Sequence, residues 1–400
     1  MQNGTATIKQ AFPPNQEDII TKDNWFTSKK HLQGYCHSGE LSPCRMIWKG
    51  SQKPSLLSYA DDSLDLATIY VHKHESVLAY LERTNTDAFL VLHKGKILYE
   101  NYFNGYPFYQ PHALNSASKS FVGLIVGLLA DEGVLDLTKK AFYYIPELEG
   151  TGLGEGTVQQ LLDMQVPVKY MEADTPMGIG RGTPIFIASG SIPKPENYHG
   201  PENLYEFMVA SKRAIPPGTV FKYENGQTET LGWIIKRLTG KNLAELIQQY
   251  IWSKLGAEEN ACMHLDGIGT DIASGGMRAT LRDLGRFGSM MCNNGFYNGQ
   301  QIIPVPIIRE IQKGGNPQLL EESNHHYLPG FSYHNQWWIS HDQYGGYSAR
   351  GKFDQQIHIA PKTETVIVKL SSNYSPQPEG MQACQAIIAY LAKNEKCESN

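Results

Sequence analysis

The stretch 121–130, FVGLIVGLLA, constrains the fold of this chain more than any other part of its sequence. It carries no charge and no polar side chain, which is typical of a helix that is covered by protein on every side. The run is well short of the roughly 18 residues that a membrane span needs. We therefore expect a buried helix in a globular core. The residues directly before it, NSASK at 115–119, place a serine and a lysine at its start.

The overall composition is that of an ordinary globular protein. Of its 400 residues, 41% are hydrophobic and 19% are charged, and the formal net charge is -5. Such a chain has no electrostatic attraction to nucleic acid or to an anionic membrane, so neither is expected as a partner. The N-terminal MQNGTATIKQ lacks the basic patch and apolar run of a secretory signal, and the expected location is cytoplasmic.

Neither the cysteines nor the histidines indicate a metal site. The six cysteines, at 36, 44, 262, 292, 384 and 397, show no paired spacing, which also argues against a disulfide scaffold. Cys36, His37 and Cys44 resemble half of a zinc site, but no second pair follows. No phosphate loop, HExxH motif or dinucleotide fingerprint is present. We expect no metal and no cofactor.

The order of helical and β-like segments predicts an α+β fold. Residues 64–84 carry apolar positions at helical spacing, and the runs AFLVLHKG and KILYENYF form a predicted hairpin. Short helical pieces then alternate with Gly/Pro-rich loops, and the last third returns to β signals before a closing helix. We expect an N-terminal arm at 1–62, a discontinuous α/β sheet domain at 63–138 and 268–396, and a helical subdomain at 139–267.

Ser116 and Lys119 form a Ser-x-x-Lys pair at the start of the apolar helix. At this spacing they share a helix face and can share a hydrogen bond. Burial lowers the pKa of a lysine, so a neutral amine can accept the proton of the serine hydroxyl. The helix N-terminus adds a positive field near a developing oxyanion. The purely structural alternative is a serine that caps the helix, followed by a solvated lysine.

The Ser-x-x-Lys pattern alone has low specificity. A chain of this length contains roughly one or two matches by chance, and a second match joins Ser191 to Lys194. There Pro193 favours an extended path and no apolar helix follows, so we do not assign that pair to catalysis.

A Tyr-x-Asn element supplies the third candidate group. The pattern begins at Tyr99, Tyr102, Tyr223 and Tyr333. The first two belong to the hairpin, and Tyr333 belongs to a β-like run before a tryptophan pair. Tyr223 differs because it follows a Pro-rich turn and precedes a helix of the helical subdomain. A side chain presented by one subdomain to a helix start in another is how a cleft site is built.

The order of these motifs resembles the class C β-lactamase and penicillin-binding superfamily. Within it, the chain most resembles the 6-aminohexanoate-dimer hydrolases (nylon-oligomer hydrolases) and their carboxylesterase relatives. The resemblance is carried by segments between about residue 75 and residue 395, among them TDAFLVLHKG, SASKS, LLADEG, YENGQTETLGWIIKRLTG, RDLGRFGSMM and VIVKLSS. It implies a β-lactamase/penicillin-binding-protein-like fold, with an antiparallel core sheet flanked by helices and an inserted helical subdomain that carries the tyrosine.

The resemblance also implies a role for each residue that matches a family motif. Ser116 matches the nucleophile, Lys119 its proton partner, and Tyr223 the proton shuttle that serves attack and leaving group. Asn225 completes the tyrosine motif and is expected to orient Lys119 or a bound carbonyl.

The third family motif should lie on a core strand just before VIVKLSS, where this sequence departs from the common forms. Gly351 and Lys352 are the candidates there. The backbone N–H groups of Lys352 and Ser116 would form the oxyanion hole. The alternative for Lys352 is a charge on a strand edge.

Two further departures concern the substrate. The nylon-oligomer hydrolases carry a tyrosine that hydrogen-bonds the leaving amide nitrogen, and this chain has Asp174 at that position. Either Tyr170 takes this role after a loop shift, or the role is absent. Ser274 stands where the family has an asparagine or equivalent. Ester hydrolysis tolerates such losses more easily than amide hydrolysis, because an ester needs less protonation of its leaving group.

These observations predict a serine hydrolase that cleaves a carboxylic ester or a small linear amide through an acyl-enzyme on Ser116. A β-lactamase or D-alanyl peptide hydrolase is one alternative, disfavoured because those enzymes act outside the cytoplasm. A non-catalytic binding protein on the same fold is the other, disfavoured by the intact Ser116, Lys119 and Tyr223. The expected partner is a small-molecule ester or amide, and a homodimer is compatible with the resemblance.

Overall fold

The computed structural model describes residues 19–22, 24–25, 38–170, 183–373 and 380–398. The strands are β1 Cys44–Ile47, β2 Tyr70–His72, β3 Glu75–Ser76, β4 Thr86–His93, β5 Lys96–Tyr102, β6 His112–Ala113, β7 Val168–Lys169, β8 Lys212–Arg213, β9 Ala261–His264, β10 Met277–Ala279, β11 Phe296–Tyr297, β12 Gln300–Gln301, β13 Ser332–His334, β14 Trp337–Ile339, β15 Tyr347–Gly351, β16 Gln355–Ala360 and β17 Thr365–Ser371. The α-helices are α1 Val77–Arg83, α2 Ser118–Asp131, α3 Ala141–Tyr144, α4 Val158–Leu162, α5 Thr183–Ala188, α6 Leu204–Val209, α7 Asn225–Thr239, α8 Leu243–Tyr250, α9 Leu281–Cys292, α10 Val305–Lys313, α11 Pro317–Glu321 and α12 Gly380–Glu398.

A seven-stranded antiparallel sheet with the order β13-β14-β15-β16-β17-β4-β5 forms the centre of the fold. The predicted hairpin is confirmed: β4 and β5 pair up to His93 opposite Lys96. Strands β16 and β17 also match the predicted late strands. The segment YHNQWWIS splits into β13 and β14, because Asn335 and Gln336 both adopt positive φ and form a turn.

The central sheet is covered on both faces, which explains the nearly continuous apolar sequence of β4. Leu90 and Leu92 belong to the large core cluster, which includes apolar residues of α2 and α9. Phe89 and Val91 point the other way, into a smaller cluster with α1 and α12. This alternation is the two-residue period of a strand. The apolar run 121–130 lies in α2 and is buried along almost its whole length, as expected.

The stretch 64–84 is not one helix, and the prediction from its periodicity was wrong. Only α1, at its end, is helical, and the residues before it form turns and the short hairpin of β2 and β3. Leu64, Leu66 and Ile69 are buried in the same cluster as α1. The apolar spacing therefore reflects a shared buried face and not a continuous helix.

A second sheet, of order β1-β9-β10-β6, joins distant parts of the chain. Cys44 of β1 pairs with His264 of β9, and Ala279 of β10 pairs with His112 of β6. The sheet unites residues from the predicted arm, the predicted sheet domain and the predicted helical subdomain. The domain division stays a prediction, but this pairing crosses its boundaries at 62 and 268.

The helical pieces predicted within 139–267, which are TVQQLLDMQ, NLYEFMVASK, ETLGWIIKRLTG and NLAELIQQYIWSKLG, are observed as α4 and α6 to α8. Among them, α7 packs against α2, so the start of one helix lies beside the start of the other. Within the described residues, none of the helices combines the length and the apolar character that a membrane span requires.

Candidate active site

Ser116 precedes the apolar helix and does not cap it. It lies in a short 3-10 turn, while α2 begins at Ser118 and has Ala117 as its N-cap residue, without a side-chain cap. The hydroxyl Oγ of Ser116 lies within hydrogen-bond distance of Lys119 Nζ, at 3.0 Å. Lys119 is completely buried. The alternative of a capping serine followed by a solvated lysine is therefore wrong.

The turn that carries Ser116 is held from two sides. Asn115 adopts the left-handed conformation with φ 49°, which asparagine tolerates better than most residues. Its side-chain Nδ2 donates to the backbone oxygen of Lys352 at 2.9 Å. Ser118 Oγ donates to the carbonyl oxygen of Asn115 at 2.6 Å and accepts from the N–H of Met277 at 3.0 Å. The turn is thus fixed to β10 and to the end of β15.

Among the described residues, the amine of Lys119 has three hydrogen-bond partners. Its Nζ lies 3.0 Å from Ser116 Oγ, 2.9 Å from Asn225 Oδ1 and 2.6 Å from the backbone oxygen of Ser274. Burial lowers the pKa of Lys119 to about 7, and the negative charge of Glu229 opposes this effect. The side chain can therefore exchange a proton near neutral pH.

Tyr223 lies directly before α7 and reaches the same point. The centre of its ring is 5.1 Å from Lys119 Nζ, and its side chain lies close enough to Ser116 to affect the pKa of the tyrosine. Burial raises the pKa of Tyr223, while the side chain of Ser116 and the charge of Arg350 oppose that rise. The tyrosine is therefore a neutral hydroxyl that can both donate and accept a proton beside Ser116.

The other motif matches lie elsewhere. Tyr99 and Tyr102 are on β5, and the Tyr102 hydroxyl donates to Glu100 at 2.7 Å. Tyr333 is buried on β13. The second Ser-x-x-Lys match is not a buried pair, because Lys194 is exposed and forms a salt bridge with Glu202.

Glu229 belongs to this cluster and was missed from the sequence. Its Oε1 accepts from the N–H of Ser274 at 2.9 Å and its Oε2 from the N–H of Ala273 at 3.0 Å. Burial raises the pKa of Glu229, and the hydrogen bonds from residues 273 and 274 oppose the rise. Glu229 lies one helical turn after Asn225, on the same face of α7. That spacing was the signal that could have found it.

The end of β15 packs directly against the turn that carries Ser116. A Cβ atom on Gly351 would lie 2.2 Å from the carbonyl oxygen of Leu114 and 3.2 Å from the nitrogen of Ala117, so only glycine fits. Lys352 follows the strand and lines the cleft, where burial lowers its pKa. The two residues predicted for the third motif thus border the site.

Ser274 lies in the site mainly through its backbone, which contacts both Lys119 and Glu229.

Tyr170 does not reach the cleft, contrary to the first of its two predicted alternatives. It follows β7, its ring stacks on Phe207 at 4.2 Å, and its buried hydroxyl faces Gly226 without a hydrogen-bond partner among the described residues. Asp174 lies outside the described residues.

A cleft of about 990 Å³, including its open mouth, extends from Ser116. Most of the exposed area of its walls is apolar. The apolar side chains are Trp25, Leu41, Ala113, Ile185, Phe186 and Ile272, and the polar ones include Ser42, Asn115, Ser189, Ser191, Asn225, Glu229, His264, Ser274 and Lys352. Trp25 and Leu41 come from the N-terminal arm, and the indole Nε1 of Trp25 donates to the carbonyl oxygen of Ser191 at 2.9 Å. Such a cleft suits a small substrate with an aliphatic part.

The residues considered for half of a zinc site are only partly described. Cys44 Sγ lies 3.3 Å from His264 Nδ1, while Cys36 and His37 lie outside the described residues. In the described part of the chain, no group of three histidine, cysteine or acidic side chains is arranged to hold a metal ion.

Comparison with known proteins gives one consistent family. The model of the β-lactamase family matches residues 77–391. A 6-aminohexanoate-dimer hydrolase of Paenarthrobacter ureafaciens is 31% identical over 369 residues, which is 92% of each chain. A structure from Bacillus anthracis, proposed to be a 6-aminohexanoate-dimer hydrolase, is 37% identical with a TM-score of 0.88, and the match covers 95% of this chain and 98% of that one. A family VIII carboxylesterase shares the fold at a TM-score of 0.59 and 15% identity, over 78% of this chain and 94% of that one.

Proposed function

The chain belongs to the β-lactamase family and is a serine hydrolase, and on that premise we propose that it cleaves a carboxylic ester or a small linear amide through an acyl-enzyme on Ser116. The observation that carries the proposal is the buried Lys119 amine, which lies within hydrogen-bond distance of Ser116 Oγ, Asn225 Oδ1 and the Ser274 carbonyl oxygen.

The hydrogen bonds of Lys119 suit a general base. A neutral amine has two N–H donors and one lone pair. The side-chain oxygen of Asn225 and the backbone oxygen of Ser274 can only accept, so they take both N–H groups. The lone pair is then left for the hydroxyl of Ser116. With a pKa of about 7, a substantial fraction of Lys119 is neutral at neutral pH.

In the acylation step, the proton of Ser116 passes to Lys119 while Oγ bonds the substrate carbonyl carbon and the carbonyl electron pair moves to its oxygen. Tyr223 donates its proton to the leaving alcohol or amine, the bond to that group breaks, and Lys119 returns a proton to Tyr223. A water molecule activated by the same pair then attacks the acyl-enzyme, releasing the acid and regenerating Ser116.

The oxyanion is proposed to bind the backbone N–H groups of Ser116 and Lys352. Two contacts support this assignment. The close packing of Gly351 on the turn and the bond from Asn115 to the Lys352 oxygen keep the strand end and the turn in one arrangement. Donors held in place before the reaction stabilise developing charge without having to reorganise.

The substrate class rests on the relatives and on the cleft. The Paenarthrobacter protein is named for hydrolysis of a 6-aminohexanoate dimer, which keeps small linear amides in the proposal. The ring of Tyr170 stacks on Phe207 and its hydroxyl is buried against Gly226, so this side chain does not offer a proton to a leaving nitrogen in this arrangement. An alcohol leaves with less protonation than an amine, and we therefore expect esters to react faster than amides of the same size.

The test is hydrolysis of p-nitrophenyl acetate and butyrate by the wild-type protein and by Ser116→Ala. We expect turnover in the wild type and its loss in the variant, with an acyl adduct on Ser116 seen by intact-mass analysis after rapid quenching. Equal turnover by both proteins would rule out Ser116 as the nucleophile. Incubation with a labelled penicillin distinguishes the β-lactamase alternative, for which a stable or rapidly turned-over adduct is expected.

A further inference from the structure

Glu229 is a buried acid at the active site that the proposed reaction does not use. It lies on α7, is 3% exposed, and lines the cleft that contains Ser116. A buried carboxylate is costly unless its oxygens are hydrogen-bonded. Both oxygens of Glu229 accept backbone N–H groups, from Ser274 at 2.9 Å and Ala273 at 3.0 Å. These donors favour the charged form of Glu229 and oppose the effect of burial, which raises the pKa of this side chain.

The same backbone connects Glu229 to the proposed base. The N–H of Ser274 donates to Glu229, while the carbonyl oxygen of Ser274 accepts from Lys119 Nζ at 2.6 Å. One turn earlier on α7, Asn225 accepts from Lys119 directly at 2.9 Å. Helix α7 therefore holds Lys119 at two points, and the second point depends on Glu229.

We propose that Glu229 is a positioning residue, which holds the Ser274 carbonyl against Lys119 and supplies the negative charge that balances the protonated amine. This inference rests on the proposed function of Lys119 as the base. Without the carboxylate, the backbone at 273–274 would lose both acceptors, and the Lys119 lone pair would lose its fixed direction toward Ser116.

The charges around Lys119 determine the sign of the expected pH effect. Tyr223 faces it from the segment before α7 and Glu229 from α7, while His264 of β9 and Lys352 after β15 line the same cleft. Burial lowers the pKa of His264 to about 3, so this side chain is neutral near pH 7. The charge of Glu229 raises the pKa of Lys119 against the effect of burial. Removing it must therefore lower the pKa of Lys119.

The experiment compares pH profiles of kcat/KM for p-nitrophenyl butyrate in the wild type, Glu229→Gln, Glu229→Asp and Asp283→Asn. Asp283 is the matched control, because it is a buried acid on α9 that likewise accepts two backbone N–H groups, from Glu258 at 2.8 Å and Glu259 at 2.9 Å. The ionisation of Lys119 is also followed without turnover, by NMR titration of ¹⁵N-labelled lysine side chains. The Lys119 signal is assigned as the one that is lost in Lys119→Ala.

We expect Glu229→Gln to lower kcat/KM by about 10- to 100-fold at its optimum, because the base is misplaced. The acid limb of its kcat/KM profile and the NMR titration midpoint of Lys119 should both move to lower pH, by about half a unit or more. Glu229→Asp keeps the negative charge but has a shorter side chain. We therefore expect its kcat/KM to fall while the acid limb of its pH profile stays at the wild-type pH. Asp283→Asn should lower the melting temperature and leave the limb unchanged.

The inference would be overturned if Glu229→Gln left both the acid limb of the kcat/KM profile and the NMR midpoint of Lys119 at their wild-type pH. It would also be overturned if Asp283→Asn moved them by as much as Glu229→Gln does. If Glu229→Gln does not fold, the test is kcat/KM of Glu229→Asp. A wild-type value in that variant would show that the position of the carboxylate is unimportant and would overturn the inference. Failure of the proposed function gives a different result: turnover is absent in the wild type or survives in Ser116→Ala, while the NMR midpoint still reports on Glu229.

Discussion

Burial and hydrogen bonding act in opposite directions on Lys119. Taking an ammonium group out of water favours its neutral form, whereas each acceptor around it favours an N–H group. Asn225 and Ser274 each offer only an acceptor, and Ser116 can both donate and accept. The neutral amine therefore satisfies all three of these partners. The resting geometry is already the geometry of proton transfer from Ser116.

The activity should depend on pH with an acid limb near pH 7. Below this pH Lys119 is protonated and has no lone pair, so kcat/KM should fall by about tenfold for each further pH unit. Above it the amine is neutral and the rate should level off. The measurement is kcat/KM for p-nitrophenyl butyrate between pH 5 and 9, corrected for spontaneous hydrolysis. A flat profile through this range contradicts the pKa of about 7.

Removing either proton carrier should abolish turnover with little change in fold. We expect Lys119→Ala and Tyr223→Phe each to lower kcat by about 10³-fold or more, in line with the loss of a general base or acid. Lys194→Ala serves as the control, because Lys194 is the lysine of the second motif match and is exposed. Circular dichroism and melting curves monitor folding. Near-normal kcat in either variant would remove that residue from the mechanism.

At the level of the secondary-structure elements, the site depends on a strand end that extends beyond its neighbour. Strand β14 pairs with β15 at Tyr347 and Ser348, and among the described residues no strand pairs with the later residues of β15 on that side. The turn at Asn115–Ala117 packs against β15 and β16. Gly351 permits the approach because it has no Cβ.

Gly351→Ala should therefore damage the site more than the rest of the fold. The added Cβ would lie 2.2 Å from the Leu114 oxygen, so either the turn or the strand must move. We expect kcat/KM to fall by about tenfold or more, since small displacements of reacting groups are costly. Gly267→Ala is the control, because a Cβ there meets nothing within 4 Å. Rates and melting temperatures of both variants are compared, and equal rates would contradict the packing argument.

On the scale of the whole molecule, the cleft is assembled from segments that are distant in sequence. Ser116 comes from the start of α2, Asn225 from α7, and Ser274 from the loop before β10. The opposite wall includes Trp25 and Leu41 of the N-terminal arm, which precede the match to the β-lactamase family at 77–391. The N-terminal arm thus supplies part of the cleft lining. We infer that this wall influences which acyl chains fit.

Trp25→Ala should change the acyl-chain preference without removing activity. Loss of the indole enlarges the cleft, so the ratio of kcat/KM for p-nitrophenyl octanoate to that for acetate should rise by about fivefold, while the acetate rate changes little. Trp48→Ala is the matched control, because Trp48 also lies in the arm but is exposed. Unchanged ratios in Trp25→Ala would show that the arm does not contact the acyl chain.

Local patterns were enough to predict the elements that depend on local interactions. The buried helix α2, the hairpin of β4 and β5, and strands β16 and β17 each follow from a run of apolar residues with turn residues at its ends. The contact between Ser116 and Lys119 was equally predictable, because one helical turn sets their spacing. The stretch 64–84 failed for a related reason, since residues buried in one cluster mimic helical periodicity when the chain turns back on itself.

Long-range packing decided everything that joins separate segments. Four tyrosines matched one motif, and only the packing of α7 against α2 brings Tyr223 to Lys119. Ser274 acts through its carbonyl oxygen, which every residue has, so side-chain identity could not reveal it. Glu229 and Trp25 gain their positions from loops and pairings that span much of the chain. Sequence spacing specifies neighbours along a helix or strand, whereas a cleft is formed by surfaces that meet only when the core packs.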